Sequence, residues 1–178
     1  PMADENEDTY AHDNAPCDVD IAGNSVTLTG AASPVNNTRR GMTISVIDDE
    51  CVEVDNFVAN EGPMLYSCGV WALTCTLPGA DAEYVVPVGD GSSWDAFTFV
   101  YFREWAGHGC GGFADDQITV ADDLVRLVPR GIENKRALQS HDGIIAMSSA
   151  ERNLTFAKKA DYDPAGQYPL NTNIAFYV

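Results

Sequence analysis

The chain has 178 residues and a formal net charge of −17, with 27 acidic residues against ten basic ones. Such a field repels nucleic acid and anionic lipid and favours solubility in strong salt, where counterions screen the self-repulsion. Apolar residues make up 45% of the composition, no stretch approaches the ~18 apolar residues of a membrane span, and a chain of this length closes a core without a disulfide or a metal. One folded domain is expected, and direct nucleic-acid binding is not.

Residues 1–16 carry five acids, no base and almost no large apolar side chain, so they read as an acidic arm ahead of a single domain over 17–178. The first residues, PMADENED, have neither a basic n-region nor an apolar h-region, and Pro1 is what removal of an initiator Met leaves. Synthesis in a cytoplasm is therefore the expectation.

From residue 17 onward the dominant period is two. SVTLT places Val26 and Leu28 on one face, MTISVI places Met42, Ile44 and Val46, CVEV places Val52 and Val54, and WALTCTL places Trp71, Leu73, Cys75 and Leu77; alternation of this kind predicts half-buried strands. EYVVPV follows, then AFTFVYF, apolar on both faces as a central strand would be. Breaks at Gly30 to Arg40, Asn60 to Pro63, Pro78-Gly79, Gly89 to Gly91 and Gly107 to Gly112 are rich in turn formers.

Two short helices are expected next. In TVADDLVRLVPRG, Thr119 and Asp122 form a capping-box pattern ahead of Leu124, Val125, Leu127 and Val128, and Pro129 with Gly131 ends the run. SSAERNLTFAKK has the same box in Ser148 and Glu151, although NLTFA equally fits a strand. The chain closes on NIAFYV, where Ile174, Phe176 and Val178 alternate as a strand. The fold class that follows is all-β: a single-domain β-sandwich or jelly roll with one or two short helices.

Cysteine and histidine offer few constellations. Cys17, Cys51, Cys68, Cys75 and Cys110 are odd in number and contain no C-x-x-C or zinc spacing, so they read as buried free thiols, with an intersubunit disulfide as the alternative. GHGCGGF, with His108 and Cys110, resembles the SHGC[IV]R signature of L,D-transpeptidases, which implies a Cys110 thiolate taking an acyl group with His108 as base. Here Gly112 stands where that family has Arg, and the upstream histidine is His12 in the acidic arm. YSCGVWALTC around Cys68 resembles the nucleophile segment of ubiquitin-like-protein proteases, and a papain-like order of Cys68, His108 and Asn134 or His141 can be written. The residues after Cys68 alternate like a strand where that fold needs a helix.

Acid clusters at Asp48-Asp49-Glu50, Asp115-Asp116 and Asp122-Asp123 supply oxygens of the kind Ca²⁺ takes, but none matches an EF-hand loop. They read as solvated turns, and neither a metal, a cofactor nor a catalytic residue is expected. The charge is polarised: residues 1–102 hold 17 acids against Arg39 and Arg40, while residues 103–178 hold ten acids against eight bases. Bases from Arg126 to Lys159 interleave with acids and suit the acidic half of a neighbouring copy better than a nucleic acid.

Eighteen of the acids are Asp, and Arg outnumbers Lys seven to three, which resembles the composition of proteins from halophilic organisms and their viruses. With the arm, the strand-rich pattern and the polarised charge, the whole chain resembles the single jelly-roll capsid proteins of haloarchaeal icosahedral viruses with an internal membrane. The resemblance implies two packed four-stranded sheets and a virion protein that associates with other capsid subunits. It also implies contact with an internal membrane, and intersubunit disulfides or bound cations. A decoration or tail protein of a tailed virus, and a cysteine-dependent acyltransferase or hydrolase using Cys110 and His108, are the alternatives.

Overall fold

The computed structural model describes residues 14–65, 70, 72–77, 81–89, 98–105, 108–112, 114–121 and 123–178. The fold is all-β, and every described strand pairing is antiparallel. The chain divides between Cys75 and Thr76 into two compact units. Most of the arm expected at residues 1–16 lies outside the described residues.

The first unit is a four-stranded meander in the order β1 (Asp18–Ala22), β2 (Ser25–Thr29), β3 (Thr38–Val46) and β4 (Val52–Asn60). Ala22 pairs with Ser25 across a two-residue loop, and Val46 pairs with Val52 beyond the acidic turn at Asp48 to Glu50. In that turn the Asp48 carboxylate accepts the Glu50 amide at 2.9 Å, a local bond that favours turns over ladders. The Phe57 ring covers Gly41 on the neighbouring strand so closely that a Cβ on Gly41 would lie 2.2 Å from it.

The second unit is a sandwich. One sheet has the order β13-β12-β5-β10-β9, from β5 (Glu83–Pro87), β9 (Ile118–Ala121), β10 (Leu124–Leu127), β12 (Ile144–Ser149) and β13 (Leu154–Lys159). The other has the order β14-β11-β6, from β6 (Phe99–Tyr101), β11 (Lys135–Leu138) and β14 (Ile174–Tyr177). A two-stranded ribbon of β7 (Glu104–Trp105) and β8 (His108–Gly109) completes it. Val86 and Val125 from the first sheet and Val88 just past β5 pack with Leu138 and Ile174 from the second, and Phe99, Ile118, Ile145 and Phe176 surround them. The described strands divide five and three where the jelly-roll resemblance implies four and four.

Both expected helices are hairpins. The apolar run Leu124 to Leu127 satisfies a helical stripe, but its residues alternate exposed and buried, Val125 and Leu127 facing the core and Arg126 facing out to Glu83 at 2.7 Å. The β-branched residues of Ile118-Thr119-Val120 form β9 beside it, so the ladder wins over the capping pattern. At 148–159 the strand alternative holds: Ser149 pairs with Leu154, and the Asp81 carboxylate accepts the Ser149 hydroxyl at 3.1 Å and the Glu151 amide at 2.8 Å. The Glu151 amide bond holds the Asp81 carboxyl below its ordinary range.

One further expectation is corrected. Residues 72–77 form no strand, and Leu73, Cys75 and Leu77, expected on a half-buried face, are exposed. β6 pairs with β11 among the described residues, and Ala96 and Phe97 of the run expected to be central lie outside them. The central place belongs to β11, whose sequence KRAL carries two cations and was not read as a strand.

The β12–β13 hairpin contains a tight crossing. Gly143 has φ +62° and a Cβ there would lie 1.8 Å from the Ala160 carbonyl oxygen, an approach fixed by the Ala160 amide donating to the Gly143 carbonyl at 2.9 Å. Gly143→Ala meets both a left-handed backbone penalty and a backbone clash. It is expected to lose about 2–4 kcal/mol in urea unfolding; a loss below about 0.5 kcal/mol would show that the crossing relaxes freely.

Candidate assembly surface

In an antiparallel ladder, residues directly opposite one another share a face, so the register of the meander sorts its side chains. One face carries Val19 and Ile21 from β1, Val26 and Leu28 from β2, Met42, Ile44 and Val46 from β3, and Val52, Val54 and Val58 from β4. The other carries Asp18, Asp20, Ser25, Thr27, Thr43, Ser45, Glu53 and Asp55. On that polar side the Ser25 and Ser45 hydroxyls pair at 2.8 Å and those of Thr27 and Thr43 at 3.0 Å.

The aliphatic face is open to solvent. Val19 is 59% exposed, Ile21 72%, Val52 60% and Val54 50%, and even the central Val26, Leu28 and Ile44 are only half-buried. Isolated exposed apolar residues are ordinary on protein surfaces, but six exposed and four half-buried ones on one contiguous face mark a surface made to be covered. Sequence alternation located seven of these residues and assigned them to a buried side; the β1 pair and Val58 were missed, because DVDIA reads as part of an acidic run. Asn56 and Arg40 are the polar interruptions of the face.

The cysteine and histidine candidates fall elsewhere. His108 lies in β8, paired with Trp105. Cys110 follows it, half-buried, its amide donating to the Arg103 carbonyl at 3.0 Å and its thiol within electrostatic reach of Lys135 and Arg136. Cys68 lies outside the described residues. Asn134 has both ends of its amide committed to Asp115 and Arg136, and His141 is exposed and stacked on Tyr162 with ring centroids 5.0 Å apart. Cys17, Cys51 and Cys75 are exposed free thiols and not core residues.

The feature that sequence reasoning missed is a buried polar network at one end of the sandwich. Arg136 and Leu138 share a face of β11, and the Arg136 guanidinium, 1% exposed, lies over the Tyr101 ring at 4.6 Å. It donates to the Asn134 side-chain oxygen, to the Lys135 carbonyl at 3.2 Å and to the Gly112 carbonyl at 3.0 Å. The Asn134 amide nitrogen in turn donates to Asp115, which also accepts the backbone amide and the side-chain amide of Gln117, each at 3.0 Å. Gln117 completes its own set on the Ile132 carbonyl at 2.6 Å and the Arg130 amide at 2.9 Å.

The charges in this network follow from its surroundings. Burial pushes the Asp115 carboxyl up, but the donated bonds from Asn134 and Gln117 and the positive charge of Arg136 outweigh it, so Asp115 titrates below its ordinary value. Burial lowers the Arg136 and Lys135 pKa values, opposed by Asp115 at the first and by Cys110 at the second. Lys135, on the opposite side of β11, lies over the Phe102 ring at 5.4 Å.

Asp115 is thus a structural acceptor, and Asp116 pairs with Arg130 at 3.2 Å on the surface. Among the described residues no group of three or more His, Cys, Asp or Glu side chains gathers closely enough to hold a metal ion, and no helix is long and apolar enough to cross a membrane. No protein-family model matches the chain, and no match was found among curated proteins or solved structures.

Proposed function

We propose that the chain is a structural subunit of a virus capsid, a virion protein that assembles with copies of itself or with other subunits and works in concentrated salt. The observation that supports the reading is the open aliphatic face of the meander, backed by an acidic polar face. A surface of that kind is stable in water only when something apolar covers it. The Asp-rich composition fits a medium in which the remaining charge is screened; the unit up to Cys75 holds 13 acids against two bases.

The reading makes a solution prediction. At low ionic strength, repulsion between subunits opposes association, and above about 1 M salt the Debye length falls to ~3 Å and that opposition disappears. Light scattering across a salt series is expected to show dimers or larger assemblies that grow with salt. A monomer at every salt concentration, from about 0.1 to 3 M, would sink the assembly reading.

A further inference from the structure

We infer that the aliphatic face of the β1–β4 meander is covered by the same face of a second copy, giving a two-sheet sandwich across a two-fold axis. The inference rests on the assembly reading and narrows it to one surface and one partner. Four strands at ~4.8 Å spacing, five to nine residues long at ~3.3 Å per residue, make a face of roughly 400 Å² in projection. With side-chain relief, two such faces remove on the order of 1,200 Å² from water, the lower end of what specific, stable interfaces bury.

The chemistry of the face selects the partner. It contains only Val, Ile, Leu and Met over its apolar positions, with no Trp, Tyr or Phe, and Phe57 points to the opposite side over Gly41. Interfacial membrane surfaces carry aromatic and basic anchors, and this unit is strongly acidic, so a lipid surface fits poorly. Aliphatic sheet faces do interdigitate with one another, at about 10 Å between sheets. Packing apolar to apolar sends Asp18, Asp20, Glu53 and Asp55 of both copies to opposite outer surfaces. Their separation then exceeds the ~8 Å Debye length of physiological salt.

Ile44 is central, paired with Val26 on one side and Val54 on the other, and Met42 lies beside it. Sedimentation of the full chain in about 2 M salt, where screening is nearly complete, is expected to show dimers or multiples of dimers. Ile44→Asp and Val54→Asp should each weaken self-association at least 100-fold, while Thr43→Asp on the polar face changes it less than threefold. Because a variant can fail by misfolding, the unmodified chain supplies a second readout. Peroxide oxidation of Met42 should slow at least fivefold at assembling concentrations relative to dilute protein, with the 78% exposed Met64 as internal reference.

Assemblies that survive Ile44→Asp, with Met42 oxidising as fast as in dilute protein, would overturn the face-to-face pairing and leave the assembly reading standing. A monomer at all salts would overturn both. A monomer that floats with phosphatidylcholine vesicles and there protects Met42 would identify lipid as the cover and overturn the pairing.

Discussion

Asp115→Asn is expected to destabilise the sandwich unit by about 3–5 kcal/mol, the range found when one partner of a buried charged set is removed. The substitution keeps the shape and removes the charge. It also turns an acceptor of three hydrogen bonds toward Asn134 and Gln117 with an amide whose NH₂ group faces donors. The Arg136 guanidinium, relayed to Asp115 through Asn134, then keeps its burial penalty without the carboxylate that offsets it. Urea unfolding at neutral pH measures the loss; a change below about 1 kcal/mol would mean that the network adjusts by taking in water.

The same residue gives a signed pH dependence. Its folded pKa lies below the ordinary carboxyl value, so its contribution is fully present above the unfolded value of about 3.9 and is lost as pH falls through the folded value. The stability difference between the parent and Asp115→Asn is therefore expected to be constant from about pH 7 to 5 and to shrink below about pH 4. A difference that persists unchanged to pH 2 would place the effect in packing and not in charge.

Leu138→Ala is expected to produce the other large effect, about 2–5 kcal/mol. Leu138 is 0% exposed and sits on the middle described strand of the smaller sheet, against Val86 and Val125 of the larger one and Val88 just past β5. Truncation leaves a void between two sheets that are each held by their own ladders and cannot close over it. Leu154→Ala, at a residue 50% exposed on β13, the outermost of the described strands in its sheet, should lose less than about 1 kcal/mol. Equal losses at the two sites would mean that the core lies elsewhere than between these sheets.

The strands were legible where polar and apolar residues alternate with room to spare. SVTLT became β2 with the same boundaries, EYVVP became β5, and IAFY became β14. The LVRLV run misled because apolar residues at positions one, two, four and five fit a helical stripe and a half-buried strand alike; β-branched Ile118, Thr119 and Val120 beside it were the discriminating signal. WALTCTL misled in the opposite sense, since its alternation puts Leu73, Cys75 and Leu77 on one face, and all three are exposed. The network of Asp115, Gln117, Asn134 and Arg136 was illegible because its members lie up to 21 residues apart. Each alone reads as a solvated polar residue, and only the sandwich brings them together.

The open face of the meander was half legible. Seven of its ten aliphatic residues were placed on common faces by period two alone. Their exposure was not foreseeable, because a pattern shows which residues want to be covered and not whether the same chain covers them.

Arg136 also has a consequence for how the sandwich unit folds. Lys135 and Arg136 are adjacent on β11 and point to opposite sides, so a slip of one residue against β14 or β6 would exchange them. The slipped strand would insert an ammonium where a planar, five-donor group is held between Asn134, Gly112 and Tyr101, and would turn Leu138 out of the core. The arginine network thereby acts as a proofreader of strand alignment, penalising near-native mispairings that hydrophobic burial alone would tolerate.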